Sequence, residues 1–222
     1  MKYEIRSKPS FAAIFVTLQP GESIIAEAGA MISMDANVSI STEFSGGFFS
    51  ALLKKYFGGE SLFVNKFSNK TKQPLQVVLT QANIGDIEGL KLTDGQEIYF
   101  QPGAYIAHAQ GAAIGVGWAG FASWFAGEGL FRLTVKSKGS GLVFFGGYGG
   151  ITKKKISGDF IVDTSHLIAY EPGIKMGIGL AGGLFGSITS GEGFISKLSG
   201  KGNIYLQSRS IDGLVKFLNS KF

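Results

Sequence analysis

Three glutamates recur in nearly the same six-residue setting along this 222-residue chain. Glu60, Glu128 and Glu192 lie in the strings GGESLF, AGEGLF and SGEGFI. A ring of the three carboxylates would attract a cation, although hard cations prefer more oxygen ligands than three lone carboxylates supply. In the simpler interpretation each string is a turn that opens a strand, where the carboxylate accepts backbone hydrogen bonds. We expect the turn.

Other strings with chemical potential lack the context that their chemistry needs. GVGWAG at 115–120 and GIGLAG at 177–182 match a dinucleotide fingerprint, but neither has the acidic residue that binds the ribose about 20 positions further on. The string DTSH at 163–166 reads as a turn, because a hydrolase triad is assembled from separated positions. We therefore expect no enzyme activity, no cofactor and no metal site.

The composition favours an all-β protein. With 34 glycines, 5 prolines and 19 phenylalanines, the chain suits short strands joined by tight turns. The absence of cysteine excludes disulfides and a cysteine nucleophile. The first residues show no secretory or transit pattern, so we expect a cytoplasmic location.

The glutamate strings belong to longer repeats. Three eleven-residue blocks precede them: QPGESIIAEAG ending at Gly29, QPGAYIAHAQG ending at Gly111 and DTSHLIAYEPG ending at Gly173. Each block leads through a glycine-rich apolar insert to its Gly-Glu string. We expect one domain, residues 1–222, of three units packed with approximate threefold symmetry around a shared core. The predicted units cover about residues 1–81, 82–145 and 146–210.

A β-hairpin is the predicted element of each unit. Phe131, Leu133 and Val135 alternate with polar neighbours, which is the period of a half-buried strand. A turn string follows, KGSG at 138–141 or GKGN at 200–203, and then a second apolar strand. The pattern predicts that the strands on either side of each turn string pair with each other.

Two short helices complete the prediction. The C-terminal segment 211–222 has apolar residues at helical spacing after Ser210, a residue type that caps helices, and we expect this helix to dock on the sheet. The apolar residues of its face are Ile211, Leu214, Val215 and Leu218. The same spacing predicts a helix in the first insert, through Phe49, Leu52, Leu53 and Tyr56.

The glycine-rich inserts are the candidate interaction surface. The candidate residues are Phe48, Phe49, Leu52, Leu53, Lys54, Lys55, Tyr56, Phe57, Trp118, Phe121, Trp124 and Phe125. Basic residues beside aromatic ones can bind nucleic acid or an anionic membrane, and a subunit interface predicts the same apolar composition. The run Lys153–Lys155 is either a basic patch or a solvated edge strand.

Seven strings together identify a family resemblance over roughly residues 10–210. GGESLF, GDIEGLKL, QPGAYIA, GEGLF, VDTSHLIAYEP, SGEGF and IYLQSRS resemble the altered-inheritance-of-mitochondria-24 family. The resemblance implies a fold like that of the tryptophan RNA-binding attenuation protein, a shortened double-stranded β-helix used more than once per chain, and assembly into trimers. It implies no catalytic motif. RNA binding is not carried over, because no motif here matches the attenuation protein's ligand residues.

We therefore expect a non-enzymatic homo-oligomer, most simply a trimer. It would act as a cytoplasmic scaffold or interaction module that contacts a membrane peripherally through its apolar inserts. A nucleic-acid or small-ligand binding protein is the alternative, and a cation-dependent enzyme built on the three glutamates is the third.

Overall fold

The computed structural model describes residues 1–44, 63–118, 131–180 and 194–221, and nearly all of their regular structure is β-strand. The strands are β1 (Lys2–Arg6), β2 (Ala13–Leu18), β3 (Ser23–Glu27), β4 (Met31–Met34), β5 (Ser39–Phe44), β6 (Phe63–Ser68), β7 (Leu75–Leu79), β8 (Gly85–Leu92), β9 (Glu97–Phe100), β10 (Tyr105–Ala109), β11 (Ala112–Trp118), β12 (Phe131–Ser137), β13 (Gly141–Tyr148), β14 (Ile151–Ser157), β15 (Phe160–Asp163), β16 (Leu167–Tyr170), β17 (Ile174–Leu180) and β18 (Phe194–Gln207). A 3₁₀ turn covers Thr164–His166, and helix α1 covers Ile211–Asn219. The all-β prediction is confirmed.

The strands form four sheets. Sheet 1 has the order β1-β2-β7-β4, and sheet 2 has the order β5-β6-β3-β10-β13-β8. Sheet 3 has the order β11-β12-β9-β16-β18-β14, and it uses the second half of β18. The first half of β18 pairs with β15 and β17 to form sheet 4.

Three apolar clusters hold consecutive sheets together. The first contains Ile14, Val77 and Phe144 and lies between sheets 1 and 2. The second lies between sheets 2 and 3, and the third between sheets 3 and 4. Alternation along the strands explains this layering: in β2, Ile14, Val16 and Leu18 are buried while the residues between them are half-exposed.

One arrangement of six strands occurs three times along the chain. The sets are β2 to β7, β8 to β13, and β14 to β18, where β18 supplies both the fifth and the sixth strand. In every set the first strand pairs with the sixth, the sixth with the third, the second with the fifth and the fifth with the fourth. Consecutive sets are joined by the second strand of one and the third strand of the next, β3 with β10 and β9 with β16.

The hairpins lie at different places from those that the turn strings predicted. β12 and β13, on either side of residues 138–141, belong to different sheets. Residues 200–203 are not a turn, because β18 continues through them. Gly200 has a φ of 121°, and a Cβ there would lie 2.2 Å from the carbonyl oxygen of Gly173, so this close approach requires glycine. The ladders instead pair the strands that flank each insert, β5 with β6, β11 with β12 and β17 with β18.

The first repeat block is also one strand out of register with the other two. The blocks 101–111 and 163–173 supply β10 and β16, the third strands of their sets, whereas the block 19–29 supplies β3, a second strand. The true counterpart of β10 and β16 is β4. All three strands carry an irregularity in register at the same place, after Met31, Tyr105 and Leu167 respectively.

Helix α1 forms where it was predicted but does not dock as expected. Ser210 caps it, since the backbone N–H of Gly213 donates to the Ser210 Oγ at 3.1 Å. None of the helix side chains is buried, and Phe217 is 60% exposed. The docking prediction is therefore wrong for the single chain. The helix predicted in the first insert lies outside the described residues.

Candidate interaction surface

Most of the sequence-predicted interaction residues lie outside the described ranges. This holds for Phe48 to Phe57, for Phe121, Trp124 and Phe125, and for the three glutamates of the repeated strings. Trp118 is the exception, since its backbone ends β11 opposite Phe131. The inserts and the carboxylate ring therefore stay predictions.

The DTSH string is a capped turn and not a triad. The Asp163 carboxylate accepts hydrogen bonds from the backbone N–H and the hydroxyl of Ser165, at 2.8 and 2.7 Å. The Nδ1 of His166 donates to the carbonyl oxygen of Gln207 at 2.7 Å, so that nitrogen is not available to Ser165. The described parts of the two dinucleotide-like strings belong to strands β11 and β17, where a fingerprint loop would need a turn into a helix.

Two features that would bear on function are absent from the described residues. No group of three or more histidine or acidic side chains is placed to hold a metal ion there. In the same part of the chain, no helix is long and apolar enough to cross a membrane.

His108 is a structural residue of the joint between β3 and β10. It is 2% exposed, and its Nδ1 lies 2.7 Å from the hydroxyl of Tyr105. That hydroxyl donates its proton to the carbonyl oxygen of Ile25 at 3.2 Å. Burial lowers the pKa of His108 to about 4 and, with a smaller contribution from Glu27, raises the pKa of Tyr105 well above its ordinary value. Both groups are therefore neutral at pH 7, and they form a hydrogen-bonded link between two sets.

The internal joints have a consistent register. At the first joint Ala107 lies opposite Ala26, and His108 lies opposite Ile25. At the second joint Ala169 lies opposite Phe100, and Tyr170 opposite Tyr99. A second strand and a third strand therefore pair in the same way at both joints.

The third strand of the first set has no such neighbour. Within the described residues β4 pairs only with β7. Ile32 is 54% exposed, whereas its counterparts Ile106 and Ile168 are each 1% exposed. Ile106 packs in the cluster shared with sheet 1, and Ile168 packs in the cluster shared with sheet 2. Ile32 lies on sheet 1, and no sheet formed by the described residues packs over it as sheet 1 packs over Ile106.

The second strand of the last set is open in the complementary way. β15 pairs only with β18 among the described strands. Ile161 is 60% exposed, while the residues at its position in the other sets, Ile25 and Tyr99, are half-buried at the internal joints. Among the described strands, the first set thus has an unpaired edge on its third strand, β4, and the last set has one on its second strand, β15. A third strand and a second strand are the two partners of each internal joint.

Sequence reasoning missed Ile32 and Ile161. Aligning residues 28–44 with residues 102–118 would have placed Ile32 on Ile106, but the stronger similarity of the two QPG strings hid that register. Isolated isoleucines on strands of four residues carry no signal of their own.

The fold defines a class of protein, an all-β chain of repeated sheets that has unpaired strand edges among its described residues. Within that class, the chain belongs to the mitochondrial biogenesis AIM24 family, whose model matches residues 3–209. An uncharacterized protein of Streptococcus pyogenes serotype M6 is 27% identical over 96% of this chain and 87% of its own length. The fold is similar to the crystal structure of protein SPYM3_0169 from Streptococcus pyogenes, with a TM-score of 0.78, 23% identity, and coverage of 100% of this chain and 99% of that one. The family and these relatives are of unknown function.

Proposed function

We propose that this protein is a non-enzymatic scaffold that assembles head to tail, with β15 of one copy pairing with β4 of the next. The observation that carries the proposal is the exposure of Ile32 and Ile161 at positions that the internal joints cover. A homotrimer is the assembly we favour. A cytoplasmic location suits a chain without cysteine.

The internal joints predict the register of the joint between copies. Phe160 faces Leu198 as Ile24 faces Phe67 and as Ile98 faces Val135, so Val162 corresponds to Ala26 and to Phe100. Ser33 corresponds to Ala107 and Ala169 in the same way. Val162 should therefore lie opposite Ser33 of the next copy, and Ile161 opposite its Met34.

Open strand edges and exposed apolar residues both favour this contact. Unpaired edge strands tend to add a further strand, and natural proteins usually protect them. A contact between two different surfaces of identical chains closes into a ring when the rotation permits and otherwise grows as a filament. The chain already contains this joint twice. A closed ring of three copies would leave neither β4 nor β15 unpaired, which is why we favour it over a filament.

Cysteine cross-linking gives the sharpest test, because the natural chain has no cysteine. Cα atoms of directly opposite residues in an antiparallel pair are about 4.5–5.5 Å apart, within the range that disulfides bridge. The double variant Ser33→Cys/Val162→Cys should form covalently linked chains up to the trimer on oxidation, read on a non-reducing gel. The control Ser33→Cys/Ile84→Cys places the second cysteine at an exposed loop position away from the joint and should give no such series.

Native mass spectrometry supplies the matching non-covalent measurement. We expect a trimer for the natural chain and for Ile84→Lys, and monomers for Ile32→Lys and Ile161→Lys, since all three isoleucines are similarly exposed, at 54 to 60%. A natural chain that stays monomeric at all concentrations, together with equal cross-linking in both double variants, would contradict the assembly.

One observation favours the alternative of nucleic-acid binding. Lys153 to Lys155 are exposed on β14, the Lys153 ammonium lies 5.7 Å from the ring centre of Tyr205, and the Lys154 ammonium lies 5.1 Å from that of Phe160. Phosphate contacts would make RNA binding fall steeply with salt. This alternative would be wrong if the protein does not bind a mixed RNA pool at low salt, or if its affinity for RNA does not change with salt concentration.

A further inference from the structure

Strand β1 stands outside the six-strand arrangement, and it shows how this fold accepts an additional strand. It pairs with the outer edge of β2 over five residues, with Tyr3 opposite Val16. The Tyr3 ring packs edge-on against Phe144 of sheet 2, with 4.9 Å between ring centres. Its hydroxyl reaches β8, where it lies 3.1 Å from the place that a Cβ on Gly89 would take. β1 therefore fills the space between the first strand of one set and the neighbouring sheet.

No described strand occupies the corresponding space in the next set. β8 is the counterpart of β2, and within the described residues its only ladder is with β13. Beside it lies a groove of about 260 Å³, lined on one side by Glu88 to Leu90 and on the other by Lys153 and Tyr205 of sheet 3.

The strand register shows which side chains would surround a residue placed in this groove as Tyr3 is placed beside sheet 2. Gly89 lies opposite Phe144, and Lys153 lies opposite Tyr205 at the same position of the following set. A side chain at Tyr3's position on an added strand would therefore pack on the Tyr205 ring and meet the Lys153 ammonium where Tyr3 meets Gly89. Glu88, the carboxylate of the groove, is already paired with Lys8 at 2.5 Å.

We propose that this groove binds an extended peptide, added antiparallel to residues 88–91 of β8. Addition of a strand to a sheet edge derives affinity from main-chain hydrogen bonds and specificity from alternate side chains. The preferred peptide carries a carboxylate opposite Leu90, where its stem covers Tyr205 and its charge pairs with Lys153, and an apolar residue two positions on, where β1 carries Ile5. The groove lies within one chain, so the proposal does not depend on assembly through β4 and β15.

The probe is a synthetic, fluorescein-labelled peptide with the sequence of residues 1–8 and the change Tyr3→Glu, titrated against the full chain by fluorescence anisotropy. We expect saturable binding that weakens about tenfold in Lys153→Glu, since the charge pair becomes a repulsion. Lys154→Glu is the matched control, because it makes the same charge change on the same strand but on the face towards Phe160. It should leave binding unchanged.

Hydrogen exchange locates the bound peptide independently. The amides of residues 88–91 should exchange more slowly when the peptide is present, and those of β2 should not change, because displacement of the chain's own β1 would act there. Absence of saturable binding at about millimolar peptide, equal weakening by both lysine variants, or protection confined to β2 would each overturn the proposal.

Discussion

Strands β4 and β10 hold the same position in their sets, yet one is a sheet edge and the other lies inside a sheet. β10 is flanked by β3 and β13, whereas β4 has only β7 beside it in the described chain. The exposure of their bulged isoleucines differs accordingly, 1% for Ile106 and 54% for Ile32. Burial at this position therefore depends on the preceding sheet and joint, and not on the strand itself.

The largest loss of stability is expected at Ile106, where the preceding sheet covers the side chain. Ile106→Ala should lower the free energy of unfolding by about 2–5 kcal/mol, because it removes a fully buried side chain between sheets 1 and 2. Ile32→Ala should cost less than about 0.5 kcal/mol in the dilute monomer, since the side chain is exposed there. Chemical denaturation followed by fluorescence measures both.

Measuring the destabilisation of these two variants at several protein concentrations tests whether copies join at β4. If copies join at β4, the cost of Ile32→Ala should grow with concentration as the joint buries the side chain, while the cost of Ile106→Ala stays constant. A cost for Ile32→Ala that is independent of concentration would mean that β4 remains an edge.

A smaller effect should come from His108, the residue that links β10 to its neighbours and corresponds to Met34 on the open strand. Its pKa is about 4 in the folded protein, below the ordinary value of 6.5, so the unfolded chain binds a proton that the folded chain does not in this range. The free energy of unfolding should therefore fall as the pH drops from 6.5 towards 4, by at most about 3 kcal/mol from this group.

His108→Met, which introduces the residue of the open strand, tests that contribution. The variant should show a shallower loss of stability between pH 6.5 and 4 than the natural chain, measured by denaturation at each pH. Parallel curves for the two proteins would show that protonation of His108 does not contribute.

The sequence predicts the fold class and the helix well, for local reasons. Composition and alternation indicate an all-β chain, and the spacing after Ser210 indicates α1. It could not predict which strands pair. The string at 138–141 has the letters of a hairpin turn, but β12 is drawn to β9 and β11, and β13 to β8 and β10, by apolar contacts far apart in sequence.

The candidate edges were still harder to predict, because a residue on them differs from its counterparts only in lacking a neighbouring strand or sheet among the described residues. Ile32 and Ile161 look in the sequence like any strand residue, and only their buried or half-buried counterparts at the joints mark them. The apolar composition favoured the glycine-rich inserts as the interaction surface, and those candidates stay predictions.

The smallest effect is expected at α1, a second apolar surface that the single chain leaves open. Ser210→Ala removes the acceptor for the Gly213 N–H and should cost about 1 kcal/mol of helix stability. Because no side chain of α1 is buried, the loss should appear as faster amide exchange in the first turn and leave the melting temperature unchanged. It should also leave the proposed trimer intact, because α1 follows the half of β18 that pairs with β14 and β16, while β15 pairs with the other half. If Ser210→Ala dissociates the assembly, α1 takes part in the contact between copies, and that contact involves more than β4 and β15.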